Sequence, residues 1–421
     1  MGENVSMKVY QISKYLVWNS YLSIKANGGS AGIDDINLKD YEANVKQNLY
    51  KLWNRMSSGS YFPKPVKLVE ILKSNGGVRP LGIPTVEDRI AQMVVVKTIE
   101  DRLESIFHKD SYGYRHGKSA HNAVKTAKLR CWEYSWVLDM DISKFFDTID
   151  HNLLMRAVEK HVTEKWILLY IKRWLSVPYQ LKDGQLVERT MGVPQGSVIG
   201  PVLANLFLHY TFDKWMEINF PKVPFERYAD DTICHCVSEK QAKYMFYQIK
   251  DRFEQCNLKL NEEKTKIVFC KSDIRYRGEE CDNVTFDFLG FTFRPRSAVD
   301  PRTKSTFVGF LPAISKKSVK RINDTIREWT KRRQTRAKVD EIADMINPSI
   351  QGWINYYGRF YPSVLKRVLK RVNDFLFRWA KRKYKSLKSK KRAIKWICNV
   401  ATRDTALFAH WRYGVVPTCT F

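Results

Sequence analysis

Two adjacent carboxylates between short β-favouring segments constrain this chain more than any other feature, in Phe225-Glu226-Arg227-Tyr228-Ala229-Asp230-Asp231-Thr232-Ile233. The pattern predicts a tight hairpin with Asp230 and Asp231 exposed at its tip. Neighbouring carboxylates repel, so keeping both ionised calls for a cation between them, and oxygen ligands suit Mg²⁺. The plainer reading is a polar turn, because Asp is a common turn residue.

A second acidic stretch lies upstream. Trp136-Val137-Leu138-Asp139-Met140-Asp141-Ile142 reads as a buried strand into which two acids intrude. A lone buried carboxylate costs several kcal/mol unless it is paired or metal-bound. Periodicity does not choose between Asp139 and Asp141, which share a strand face. Phe145-Phe146-Asp147 follow as the chain turns into a pair of helices running to about residue 177.

Around these acids the remaining segments alternate in character. Apolar spacing predicts a helix over 8–26, ended by Asn27-Gly28-Gly29, and a second helical stretch to Met56. Val66 to Ile83 reads as a β-hairpin with Asn75-Gly76-Gly77 at its turn, and it carries Lys73 and Arg79 near the tip. Those cations suit a triphosphate clamp or, equally, a Lys-guarded edge strand. A helix with Arg89 and Gln92 follows, then Tyr112-Gly113-Tyr114-Arg115-His116-Gly117, an aromatic and basic loop of the kind that clamps nucleic acid or simply makes a turn. Gly192-Val193-Pro194-Gln195-Gly196-Ser197 is a flexible loop before an apolar helix over 202–208. A helix over 239–255, the segment Leu258 to Lys266 and a strand pair over 284–293 complete this part. Beyond residue 300 the pattern reads as helical and basic, with helices over 315–333, 338–357 and 362–384.

Charge bounds the partners. The formal net charge is +28, and residues 311–421 hold 27 Lys and Arg against 7 Asp and Glu. A polyanion is implied, with nucleic acid ahead of a membrane, since no amphipathic or lipidation signal accompanies the charge. Residues 381–395 alone carry nine cations, including Lys381, Arg382 and Lys383, interleaved with Trp379, Tyr384 and Trp396. The eight cysteines form no Cys-x-x-Cys pair, which argues against a zinc ribbon or a disulfide framework. No signal sequence or long apolar run is evident, so a cytoplasmic, nucleoid- or RNA-associated location is expected, with no membrane partner.

The order of these pieces is more specific than any one of them. Leu138 to Asp147, Gly192 to Gly196, Pro201-Val-Leu-Ala-Asn205, Arg227 to Asp231, Asn261-Glu-Glu-Lys264-Thr265, Phe288-Leu-Gly-Phe291 and Gly352-Trp-Ile-Asn-Tyr-Tyr357 together resemble the bacterial group II intron-encoded reverse transcriptases and maturases, of the short form without a C-terminal nuclease module. The resemblance implies an α+β right-hand polymerase: fingers and palm with an antiparallel sheet, then a helical thumb and a small basic domain. It divides the chain into an N-terminal extension (1–56), fingers and palm (57–300), thumb or maturase domain (301–378) and a nucleic-acid-binding tail (379–421).

By the same resemblance, Asp141, Asp230 and Asp231 hold two Mg²⁺ ions, Asp141 being preferred to Asp139 because Phe146 follows it by five. Lys73, Arg79, Phe146 and Gln195 meet the dNTP, with Phe146 excluding a 2′-OH, and Lys264 protonates the departing pyrophosphate. Arg115, Gly196, Trp353, Tyr356 and the Lys381-Arg382-Lys383 run contact nucleic acid. The implied partners are group II intron RNA, an RNA template, and a DNA primer or target, for a monomer or homodimer. His116, Ser197, Gly200 and Leu72 depart from the family's commoner residues. A domesticated or defence-associated reverse transcriptase without an intron, and a chain that is mainly an RNA-binding splicing cofactor, stay open as alternatives.

Overall fold

The computed structural model describes residues 9–72, 77–273, 283–300, 302–332 and 335–418. The chain divides into two compact units, one of residues 1–123, 138–234 and 240–265, the other of 124–137, 235–239 and 266–421.

The first unit opens with α1 (Lys14–Asn27), α2 (Leu38–Ala43) and α3 (Val45–Ser58). Ser13 caps α1 and Gly28 ends it, at φ 67. The expected single second helix is broken at Asn44, whose backbone leaves helical geometry between α2 and α3. Strands β1 (Val66–Leu72) and β2 (Val78–Ile83) then pair antiparallel, from Lys67↔Ile83 to Leu72↔Val78. Lys73 and the turn of this hairpin lie outside the described residues. After Thr85, which caps it, α4 (Val86–Glu104) buries 11 of its 19 residues, and α5 (Ala120–Glu133) follows the aromatic loop.

Next come β3 (Trp136–Met140), α6 (Phe145–Thr148), α7 (His151–Glu159) and α8 (Lys165–Ser176). The short strands β4 (Tyr179–Gln180) and β5 (Leu186–Val187) extend the first hairpin into a sheet of order β2-β1-β4-β5. The apolar helix α9 (Gly200–Leu208) does not stop where its periodicity does: it passes through a π-helical turn over His209–Asp213 into α10 (Lys214–Asn219). Such single π turns redirect side chains and are often found at functional sites. Here the turn carries a buried Asp213.

Strands β6 (Phe225–Tyr228) and β7 (Asp231–Cys236) form the predicted hairpin, in register Phe225↔Cys234 to Tyr228↔Asp231. With β3 and β8 (Lys266–Phe269) they make a four-stranded sheet of order β6-β7-β3-β8, and α11 (Glu239–Gln255) connects β7 to β8 in sequence. Cys234 and Cys236 are buried strand residues, as their spacing implies.

The second unit contains β9 (Phe286–Phe288), β10 (Phe291–Val299) and β11 (Thr306–Ile314), in the order β11-β10-β9. The helix expected over 315–333 begins at Lys316, but the stretch before it, read as part of a helical region, is a nine-residue strand over 306–314 paired along all of β10. Its alternation is masked by a nearly continuous apolar stretch, Phe307 to Ile314, that is buried over its second half. Four longer helices follow: α12 (Lys316–Lys331), α13 (Val339–Tyr357), α14 (Pro362–Lys383) and α15 (Lys390–Arg403), with a short α16 (Ala409–Arg412).

Leu365, Val368, Val372, Phe375 and Leu376 of α14 are all buried, as the spacing predicts. Each such side chain contributes roughly 1.5–3 kcal/mol of burial. They share one core with Ile322 and Ile326 of α12, Ile346 and Ile350 of α13, Ile397 of α15, and Phe408 and Trp411. The expected limits at 300/301 and 378/379 therefore fall between two paired strands and inside α14.

Candidate active site

Asp141 stands one residue past the end of β3, where the chain leaves the sheet. A facing segment holds that exit in place: Ile142 bridges Leu260, Ser143 N–H donates to Lys259 O (2.8 Å), and Asn261 N–H donates to Asp141 O (2.8 Å). The turn that begins at Asn261 brings Lys264 back, and its Nζ meets Asp141 Oδ2 at 3.1 Å. Both groups remain open to solvent, with side chains 64% and 43% exposed.

Asp230 occupies the two-residue turn between β6 and β7, and Asp231 is the first residue of β7. The tip is not solvent-exposed as expected. Ala229 is 6% exposed, and the loop before α5 is pressed against it so closely that a Cβ on Gly113 would collide with the Ala229 amide. Ala229 itself sits at φ 57, a conformation costly to a residue with a Cβ.

Burial pushes the Asp230 carboxyl above its ordinary range. Asp141 adds to the rise, while the Asp230 backbone N–H, Arg79 and Arg227 oppose it. The Asp141 charge therefore reaches Asp230, and a cation held by the two would relieve that repulsion. Among the described residues, no three acidic, His or Cys groups are grouped closely enough to make a ready-formed ion cage. The donor set nevertheless fits a hard divalent ion: it is all carboxylate oxygen, and an electrostatic conflict between Asp141 and Asp230 is already present.

Arg79 and Gln195 meet beside these acids. Arg79 Nε donates to Gln195 Oε1 at 2.7 Å, and the Gln195 amide reaches Asp147 Oδ1 at 3.5 Å. Gly82 N–H donates to Gln195 O (2.7 Å), so the first hairpin and the 192–197 loop are tied backbone to backbone. Gly196, at φ +107, makes this approach possible, since a Cβ there would lie 2.5 Å from Gly82 O. Val193 N–H donates to Phe146 O (2.7 Å), and the Phe146 ring stays half-buried beside Phe145. One neighbourhood thus holds Asp141, Asp230, Asp231, Lys264, Arg79, Gln195, Gly196 and Phe146.

Other sequence candidates are placed differently. Arg115 does not face a ligand: its side chain is 5% exposed. Its guanidinium is spent on Glu104 and on the carbonyls of His108 (2.6 Å) and Ser111 (2.7 Å), bracing the loop. In the second unit Trp353 stacks on Trp329 (5.5 Å), and Tyr356 donates to Leu289 O (3.0 Å) while stacking on Phe291 (5.6 Å). Both serve packing. Lys381 and Arg382 are exposed, with Arg382 reaching Thr330 O (2.9 Å), whereas Lys383 caps the carbonyls of Arg336 (3.0 Å) and Ala337 (2.6 Å).

Sequence reasoning assigned no role to the support beneath the hairpin. Asp213, Arg227 and Asn205 form a fully buried polar network under Ala229. Gln92 of α4 accepts from the amides of Val198 (2.8 Å) and Ile199 (3.3 Å), holding the start of α9. The available signal was a charge in an apolar context: Asp213 ends a buried helical run and Arg227 lies inside a strand.

A half-buried carboxylate pair between a strand end and a hairpin turn, ringed by cations on a mixed α+β scaffold, defines a polymerase palm. The family model described as reverse transcriptase (RNA-dependent DNA polymerase) matches residues 71–293, and that of the group II intron maturase-specific domain matches residues 319–397. Protein YkfC of Escherichia coli is 31% identical over 60% of this chain and 76% of its own length. The group II intron-encoded protein LtrA of Lactococcus lactis is 28% identical over 65% of this chain and 45% of its own. A putative COX1/OXI3 intron 1 protein of Saccharomyces cerevisiae is 22% identical over 84% of this chain and 50% of its own. The chain belongs to the reverse transcriptase family, in its group II intron-encoded branch, and spans about half the length of the last two relatives. That family runs on divalent metal ions. No helix among the described residues is long and apolar enough to cross a membrane.

Proposed function

We propose that this chain copies intron RNA into DNA and also binds that RNA to assist its splicing and mobility. The observation that carries the polymerase reading is the position of Asp141 at the exit of β3 and of Asp230 in the β6–β7 turn, near enough for the Asp141 charge to raise Asp230. Asp141, Asp230 and Asp231 would hold two Mg²⁺ ions, and when bound these supply activation of the primer 3′ oxygen and neutralisation of the leaving pyrophosphate. Arg79, with Lys73 beyond the described residues, takes the triphosphate of the incoming dNTP. Gln195 orients Arg79 through the 2.7 Å bond. Gly196 lets the loop backbone approach the template-primer.

Lys264 has a double task in this reading. While it pairs with Asp141 it offsets the local negative charge, and once that carboxylate is engaged elsewhere it is free to give its proton to pyrophosphate. The maturase role rests on the residues matched at 319–397 and on the +20 balance of residues 311–421. The cations of the tail supply nucleic-acid affinity that weakens steeply with salt.

The deciding experiment is primer extension on an RNA template with dNTPs and Mg²⁺, comparing the natural chain with Asp230→Ala, alongside a splicing assay of both. Synthesis lost and splicing retained is the expected result. Undiminished synthesis by Asp230→Ala would overturn the metal assignment. Silence from both chains with RNA binding intact would favour a splicing cofactor.

A further inference from the structure

Four arginines converge on a concavity formed wholly within the second unit. Its volume is about 460 Å³, and Arg294 and Arg296 of β10, Tyr361 at the head of α14, and Arg367 and Arg371 further along that helix line it. Arg296 is only 9% exposed. Its Nε donates to Leu311 O (3.0 Å) and its Nη2 to Thr292 O (3.1 Å), and the guanidinium faces the Tyr361 ring at 5.3 Å. Among the described residues no carboxylate lies within ion-pair distance of any of the four.

That arrangement has a cost which the fold sustains. A guanidinium taken out of water without an anion is unfavourable, and burial, with the charges of Arg294 and Arg367, pulls Arg296 down to about 10. Tyr361 adopts φ 50, a left-handed conformation that costs a non-glycine residue on the order of 1 kcal/mol. Its hydroxyl donates to Ser297 O at 2.6 Å, which fastens the head of α14 to β10 and keeps the two pairs of arginines facing one concavity. The N-terminal end of α14 adds its own partial positive charge. Ordinary solvated arginines need none of this anchoring.

We propose that this cavity is a phosphate site that grips the backbone of a nucleic-acid strand, with Arg367 and Arg371 clamping phosphodiesters from the helix and Arg296 forming the buried floor. The planar fork of Arg matches phosphate oxygens two at a time. Three of the four arginines are exposed at an open mouth, which suits a continuous strand passing over the site rather than an enclosed small molecule. The inference rests on the nucleic-acid reading above and adds to it a defined contact point that takes no part in the chemistry.

The test uses the full chain and two charge-matched double variants, Arg367→Ala with Arg371→Ala, and Lys222→Ala with Lys240→Ala. Binding of a labelled RNA and a labelled DNA of the same sequence is titrated with salt. Each phosphate contact adds roughly 0.7 to 0.9 to the slope of log K against log salt, so the arginine pair should make it shallower by about 1.4 to 1.8. The lysine pair should leave it unchanged, and RNA against DNA tells which strand uses the site.

Equal slopes for both variants would overturn the proposal, as would tripolyphosphate binding that depends on the arginines while neither nucleic acid does. Alanine is the best helix former, so α14 should survive both changes, and matched thermal melts verify it. Asp230→Ala should keep the natural salt slope, so loss of synthesis and loss of this contact are read independently.

Discussion

Asp213 and Arg227 face each other with both side chains fully buried, Nε donating to Oδ1 at 2.7 Å and Nη2 to Oδ2 at 2.6 Å. The remaining nitrogen, Nη1, donates to Asn205 Oδ1 (3.0 Å) and to Ala229 O (3.1 Å), and Asn205 in turn donates to Gly113 O (2.7 Å). A single guanidinium thus connects the π-helical turn, α9 and the turn that carries Asp230.

Removing one member of this pair strands the other charge. Asp213→Ala should therefore cost about 3–5 kcal/mol of stability, seen as a lower denaturant midpoint. Replacing both, with Asp213→Leu and Arg227→Met, should recover most of that loss, because two apolar groups leave no buried charge. Primer extension should stay impaired in the double variant, since the Ala229 carbonyl loses its anchor. Full activity there would show that the pair does not position the hairpin.

Asp230 should oppose folding at neutral pH. Its folded-state pKa is raised, so the folded chain holds the proton more tightly than the unfolded one, and stability declines as pH climbs through the carboxylate range and stays low above it. Asp230→Asn should then melt higher than the natural chain at pH 7 without divalent cation, with the advantage fading in acid. Mg²⁺ at about 100 times its Kd should add about 2.7 kcal/mol to the natural chain alone. A variant that gains as much from Mg²⁺ would place the ion elsewhere.

What was legible in the sequence follows from how local each signal is. The β6–β7 hairpin, α11 and α14 could be read because pairing and apolar spacing are decided within a dozen residues. Strand β11 could not, since a continuous apolar run fits strand and helix alike and only its pairing with β10 decides. The carboxylates were legible as charges out of place, whereas the roles of Arg115, Trp353 and Tyr356 were not. An arginine in an aromatic loop looks alike whether it meets a phosphate or, as here, Glu104. The partner is 11 residues away in sequence and invisible to composition.

Phe146 offers a test of substrate selection. Its backbone carbonyl accepts from Val193 N–H at 2.7 Å, and truncation of the side chain should leave that backbone bond intact. Phe146→Ala is expected to raise incorporation of ribonucleotides relative to deoxynucleotides by at least about tenfold, the scale on which one steric contact discriminates. The measurement is the ratio of kcat/KM for dNTP and rNTP. An unchanged ratio would move the 2′ selectivity to another residue.

His410 should make the second unit acid-sensitive. It is fully buried, its Nε2 lies 2.8 Å from Asn373 Oδ1, and the same oxygen accepts from Trp411 Nε1 at 2.9 Å. Burial pulls the ring down to about 3, against an ordinary 6.5. As pH falls below 6.5 the unfolded chain takes up a proton that the folded one refuses, so stability drops through that window by roughly 1 kcal/mol per pH unit. His410→Gln keeps an amide donor toward Asn373 without a titrating ring. Its melting temperature should fall less than that of the natural chain between pH 7 and pH 5, and the difference between the two curves isolates this group from the carboxylates that titrate in both. Parallel curves would mean that the imidazolium is accommodated in the core, with water or a carbonyl reaching the Nδ1 that has no hydrogen-bond partner among the described residues.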